Sequence, residues 1–151
     1  MVTPPTQKPV ITSIHIAPGS RLPMKSVPTV EAEAGKGLVG DRYHGTRHRH
    51  VSVQSASQLD EAADDLGAPI DPGDTRRNIT IAHGDVPSTP GARIQLGAIE
   101  LEVVRTAAPC RLLDDAIGDG ARRALSRRAG SICRVLTGGT IAVGDAADLD
   151  A

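Results

Sequence analysis

The chain has no phenylalanine, no tryptophan and a single tyrosine, so its core must be built from Val, Ile, Leu and Ala. The same shortage removes the aromatic platforms on which single-strand nucleic-acid binders stack bases. Neither sign of charge is in excess: the net charge is −1 and the pI lies near 6.5. A generally basic nucleic-acid-binding surface is thereby excluded. No stretch approaches the ~20 apolar residues of a membrane span. Lysine is scarce too, with only Lys8, Lys25 and Lys36, so 14 of the 17 basic residues are arginine. Arginine is the side chain that grips phosphate or carboxylate through two parallel hydrogen bonds. Cysteine occurs twice, at Cys110 and Cys133, which is no disulfide framework. Met1 to Pro9 is polar and Pro-rich and lacks the apolar run of a secretory signal. A reducing cytoplasm is the expected location.

Turn formers are plentiful. The 16 glycines and 11 prolines are well above the combined average of about 12%, which argues against a helical bundle. A length of 151 residues suits one domain. At that size folding hides roughly two-thirds of the extended chain's surface, enough for a core without disulfides or metals. Residues 1–9 are expected to be a flexible lead-in, and 10–151 a single domain without repeats.

Val10 to Ile16 is β-branched and predicts a strand stopped by Pro18-Gly19. Val30, Ala32 and Ala34 alternate with polar residues and predict a half-buried strand entering a Gly-rich loop, Gly35 to Gly45. Val51-Ser52-Val53 predicts a short strand handing over to a helix. In that helix Ser55 and Gln58 form a capping box, Leu59, Ala62, Ala63 and Leu66 share a face, and Gly67 is the stop. Asp71-Pro72-Gly73-Asp74 reads as a turn and Asn78 to Ile81 as a strand. Gly97-Ala98 is the two-residue turn expected of a hairpin joining Ile94 and Leu96 to Ile99, Leu101 and Val103. Thr106 to Leu113 is expected as a loop, Ala121 to Arg128 as a short basic helix. Ser131 to Leu136 and Thr140 to Val143 are expected to pair as a last hairpin about Gly138-Gly139. The sum is a mainly-β protein, an antiparallel β-barrel with a few short helices.

Cys110 follows a strand end and a proline, with Arg105 and Arg111 nearby. Guanidinium groups favour the thiolate, the nucleophilic form of cysteine. The same position also admits an inert, buried thiol. Cys133 alternates within Ile132-Cys133-Arg134-Val135 and reads as core. The segment Gly40 to His50 packs three arginines and three histidines between glycines, and Arg76-Arg77 could join it. It reads either as an anion pocket or as a solvated basic loop. His44, His48 and His50 have no spacing that makes them converge on a metal. His15 reads as a core or wall histidine. Asp114, Asp115 and Asp119 are expected in a loop, answered by Arg122 and Arg123. Arg122, Arg123, Arg127 and Arg128 form a solvated helix face, or a surface for an acidic partner.

Taken in order, these landmarks resemble one family. Gly-Asp-Arg-x-His-Gly at 40–45 is followed by Arg49 before a Val-Ser-Val strand. Then come Arg76-x-Asn78-Ile79, Gly91 and Gly97 around a hairpin, Pro109-Cys110, Gly138-Gly139 and Gly144-Asp145. The pattern resembles the MOSC domain, the C-terminal module of molybdenum cofactor sulfurases, also found as small stand-alone bacterial proteins, and it runs from about Val10 to Asp148. The resemblance implies a β-barrel-rich α+β fold and a site for the molybdenum cofactor in its molybdopterin form. It further implies that Cys110 carries sulfur or ligates molybdenum. Asp41, Arg42, His44, Arg49, Arg76, Asn78 and Arg111 are the implied cofactor-binding residues. Pyridoxal phosphate would enter only through a partner cysteine desulfurase, the other implied partners being a molybdoenzyme acceptor or a reductase. Some stand-alone relatives instead hold the cofactor and reduce N-hydroxylated compounds. Arg77 departs from the family pattern, in which many members have an acidic residue or proline before the Asn.

Overall fold

The structure, a computed structural model, describes residues 8–109 and 112–151. The described residues form eleven strands and three α-helices. Strand β1 (Ile11–Ile16) ends where expected, before Pro18-Gly19, and turns through β2 (Lys25–Val27) and β3 (Thr29–Glu33) to β4 (Gly37–Leu38). Val30 and Ala32 of β3 point inward, as their alternation predicts, whereas Ala34 is exposed beyond the strand.

Strand β5 (Val51–Ser55) runs directly into α1 (Ala56–Leu66). Ser55 is the N-cap, but its side chain makes no capping bond; its hydroxyl meets that of Ser57 instead, at 2.9 Å. The expected capping box therefore does not form. Leu59 and Ala62 face inward and Gly67 closes the helix in a left-handed conformation, φ 76°. Because α1 carries the chain back across the sheet, β6 (Ile79–Ile81) lies parallel to β5, as a helical crossover requires. This pair departs from the all-antiparallel expectation.

Strands β7 (Arg93–Leu96) and β8 (Ile99–Thr106) form the predicted hairpin, with Ile94 opposite Leu101 and Leu96 opposite Ile99. Part of the expected loop after β8 is helical, as α2 (Leu112–Ile117), and α3 is only Ala121–Ala124. Asp114 and Asp115 thus sit on a helix, and Asp114 accepts the backbone N–H of Arg122 (2.9 Å) rather than its guanidinium.

The last hairpin does not exist. Strand β9 (Ser131–Thr137) pairs with β5 and β8, while β10 (Gly139–Ala142) pairs with β3. At Gly138 a Cβ would sit 2.7 Å from the Ala32 carbonyl, so the chain passes close beneath β3 there and changes sheet. Strand β11 (Ala147–Asp148) then pairs with β7.

The result is mostly β, in an eight-stranded mixed sheet ordered β11-β7-β8-β9-β5-β6-β1-β2 and a three-stranded sheet β10-β3-β4. The sheets are not closed into a barrel. A single bridge between Val10 and Ala146 joins the entry of β1 to the entry of β11. Side chains of both sheets share one core, including Ile11, Ile14, Ile79, Ile81, Ile94, Leu101 and, from the small sheet, Leu38 and Ile141. A second cluster, with Leu59, Ala62, Leu113 and Leu125, holds the helices together. No described helix is long and apolar enough to cross a membrane.

Candidate functional site

Because β5 and β6 are parallel, their entries lie at the same edge, and antiparallel β1 brings its exit there as well. Arg49, Arg76 to Asn78, and Ala17 to Arg21 are thereby gathered from distant parts of the sequence. The Gly40–Gly45 loop joins them through Asp41 and Arg42. The Asp41 carboxylate is almost fully buried, and its Oδ1 accepts the Ala17 N–H (3.0 Å). The Arg42 N–H returns a bond to the Ala17 carbonyl (2.7 Å). Asp41 Oδ1 also receives Asn78 Nδ2 and Arg42 Nη1, both at 3.3 Å, and Oδ2 receives the Tyr43 N–H (3.3 Å).

Asn78 locks the strands beneath. Its Oδ1 accepts the Ser52 N–H (3.0 Å) and hydroxyl (3.1 Å), and its Nδ2 donates to the His15 carbonyl (3.0 Å). Asp41 and Asn78 are thus a buried frame that tethers the Arg42 loop to β1, β5 and β6. Neither lines the cavity above them.

That cavity, about 250 Å³, is lined by Arg21, Arg42, Arg49, Arg76 and Arg77, with Ser20, Tyr43, Thr75, Ala108 and Leu113. Five guanidinium-bearing residues and no carboxylate stand among these described lining residues. Arg42 donates Nη2 to the Arg76 carbonyl (3.4 Å) and Arg76 donates Nη1 to the Leu22 carbonyl (3.0 Å). Arg21 and Arg76 adopt left-handed backbone conformations, φ 65° and 63°, which for residues bearing a Cβ is strain of the kind concentrated at ligand sites. Arg49 Nε is buried and has no hydrogen-bond partner among the described residues. A buried donor left unpaired costs free energy.

Of the sequence-predicted residues, Arg42, Arg49 and Arg76 meet in the cavity. His44 does not: it is exposed, and its Nε2 lies 3.1 Å from Glu33 Oε1. Cys110 and Arg111 lie outside the described residues, as does the 1–7 part of the expected lead-in. Arg77, which the sequence offered beside Arg76 as an addition to the pocket, lines it as well, whereas Arg21 and Thr75 went unassigned in the sequence. Arg77 is also the residue that departs from the family pattern. It is buried, and its Nε and Nη2 donate to the carbonyls of Ala129 (3.0 Å) and Ala108 (2.9 Å). A long cation at this position brackets two loops against the cavity wall.

The histidines disperse to separate partners. His48 Nδ1 lies 3.3 Å from Arg134 Nη1. His50 is buried, accepts the Val135 N–H at Nδ1 (3.0 Å) and donates from Nε2 to the Thr46 carbonyl (2.7 Å). Burial holds its pKa below the usual value, with the Arg134 charge acting in the same direction and the Thr46 bond against it. Burial also lowers the pKa of His15, against the pull of Asp71 and Asp74. Among the described residues no three His, Cys, Asp or Glu side chains form a metal cluster. Cys133 is in the core, as its alternation predicts, and burial pushes its thiol up to about 12.

This is a small mostly-β protein whose arginine-walled cavity at one strand edge presents donors of the kind that hold anions. Residues 40–148 match the sequence pattern of the MOSC domain, and the chain belongs to that family, which is associated with molybdenum-cofactor functions. No curated protein matches the sequence. The fold is similar to that of the YUAD protein from Bacillus subtilis, with TM-score 0.78, 20% identity, and 93% of this chain and 94% of that one covered. It is also similar to YiiM from Geobacillus stearothermophilus (TM-score 0.72, 18% identity, covering 93% and 74%). YiiM from Escherichia coli gives TM-score 0.71 and 14% identity, covering 96% and 70%.

Proposed function

We propose that this protein binds the molybdenum cofactor in its molybdopterin form and uses Cys110 to carry sulfur for a metal–sulfur centre. The observation that carries the reading is the cavity with five arginine residues and no carboxylate among its described lining residues. A pterin phosphate is the anion such donors fit, because guanidinium forks bond phosphate oxygens in pairs. Arg42, Arg49 and Arg76 would hold the phosphate, and Asp41 and Asn78 would keep the Arg42 loop in place. When bound, the group supplies a redox-active metal for which thiolate sulfur is a suitable soft ligand.

Ala108 and Leu113 line the cavity, and Cys110 follows Ala108 by two residues in the chain. In a reducing cytoplasm its thiolate would attack the terminal sulfur of a persulfide on a pyridoxal-phosphate-dependent desulfurase. The donor's thiolate leaves, and the new persulfide on Cys110 passes its sulfur to an acceptor molybdoenzyme.

The test is metal and pterin analysis of the protein expressed in a molybdate-supplied host. Wild type should co-purify with pterin and carry cyanide-releasable sulfur or molybdenum. Cys110→Ser should lose the sulfur and metal, and Arg49→Ala the pterin. A Cys110→Ser protein that still carries both sulfur and metal overturns the cysteine's role, and a pterin-free wild type overturns cofactor binding. Turnover of an N-hydroxylated compound by loaded protein with an artificial reductant would assign the reductase role instead.

A further inference from the structure

The only residue among Phe, Trp and Tyr in this chain is in the anion cavity. The Tyr43 ring has the Arg42 guanidinium carbon 4.4 Å from its centroid and that of Arg49 at 4.3 Å. Two cations sharing one wall repel each other, the more so where water is partly excluded. An aromatic face is electron-rich and attracts a guanidinium within about 6 Å, so one ring can hold both groups. A contact to the ring face uses no N–H donor, so it adds to the bonds Arg42 already makes to Asp41 and the Arg76 carbonyl rather than competing with them. Arg42 spends part of its charge on Asp41 at 3.3 Å; no described carboxylate forms an ion pair with Arg49.

We infer that Tyr43 is a positioning residue, whose ring sets Arg42 and Arg49 as a two-guanidinium clamp selective for a dianionic phosphate monoester over a singly charged anion. The inference rests on the anion-cavity reading above and deepens it. The hydroxyl is not required, since both contacts are to the ring. Tyr43 also serves as a built-in reporter, because no other tyrosine or tryptophan contributes to the chain's emission.

The experiment is calorimetric titration of the full chain with inorganic phosphate and with dimethyl phosphate, at about pH 8, where phosphate is mostly dianionic. Tyrosine emission of the wild type is followed in parallel. Wild type should bind phosphate at least about tenfold more tightly than dimethyl phosphate, with a saturable change in emission. Tyr43→Phe should keep affinity and selectivity within about twofold. Tyr43→Leu should lose about tenfold for phosphate and most of the selectivity, with an unchanged far-ultraviolet circular dichroism spectrum. If wild type binds phosphate and Tyr43→Leu matches it, the role of Tyr43 is overturned while the anion cavity stands. A wild type that binds neither ligand overturns the cavity reading and this inference with it. Should Tyr43→Leu fail to fold, two results still overturn the inference. One is a tenfold loss in Tyr43→Phe; the other is calorimetric binding that leaves wild-type emission unchanged.

Discussion

Burial holds the His50 pKa below its usual value against the Thr46 bond, and a protonated ring would also place an N–H against the Val135 N–H that Nδ1 now accepts. The folded state therefore resists a proton that the unfolded chain takes up below its ordinary value of 6.5. Above that pH both states are neutral and the stability is complete; as pH falls below it, stability is lost until the folded ring protonates. His15 acts with the same sign. The Asp148 carboxylate is held below its usual range by the Asp150 N–H and Lys8, and it adds a further loss at lower pH. The urea midpoint should fall between about pH 7.5 and about pH 5.5 with an unchanged slope. A midpoint that is flat or rises on acidification refutes this account. Such roles are hidden in the sequence, where His44, His48 and His50 look alike and only tertiary partners distinguish them.

Among the elements, the entry of β9 against β5 leaves the least room. A Cβ on Gly130 would overlap the Val53 carbonyl, and its φ of 83° is itself unsuited to other residues. Gly91 has a similar φ of 90° but open space around its Cβ position. Gly130→Ala should therefore cost more than about 3 kcal/mol, through forced separation of β5 and β9. Gly91→Ala should cost about 1 kcal/mol from backbone strain alone. Denaturant midpoints of both variants check this; equal costs would show that close approach is not the cause. Elements defined by local chemistry were legible: β1 by its β-branched run, the β7–β8 hairpin by Gly97-Ala98, and the stop of α1 by Gly67. The β9–β10 pairing was misread because Gly138-Gly139 looks like a hairpin turn, whereas its glycines let the chain pass under β3. Helix α2 has no counterpart among the sequence expectations because its six residues carry no full apolar stripe.

The whole molecule divides its apolar residues between a core shared by the sheets and a smaller cluster among the helices. Leu101 and Leu125 are each almost completely buried, one in each. Truncation of either to Ala should cost about 2–5 kcal/mol. The consequences should differ in native-state hydrogen exchange. Leu125→Ala should speed exchange in α1 and α3 while β8 and β9 keep their protection, and Leu101→Ala should speed it throughout. Equal loss of protection in both variants would mean that sheet and helices open as one unit. At this scale the mostly-β character was legible from turn formers and β-branched runs. Closure was not: the sheets remain open, and one strand pair is parallel.

Composition and motif order were enough to establish a small MOSC-type β protein rich in arginine, since residue type dictates local propensity and the anions a side chain can hold. Only folding could choose among the arginines. Parallel pairing of β5 and β6 puts two distant strand entries at one edge, where Arg21 and Arg77 join Arg42, Arg49 and Arg76. His44 is instead turned toward Glu33. Convergence of this kind depends on contacts between residues far apart in the chain, and spacing along a sequence carries no record of them.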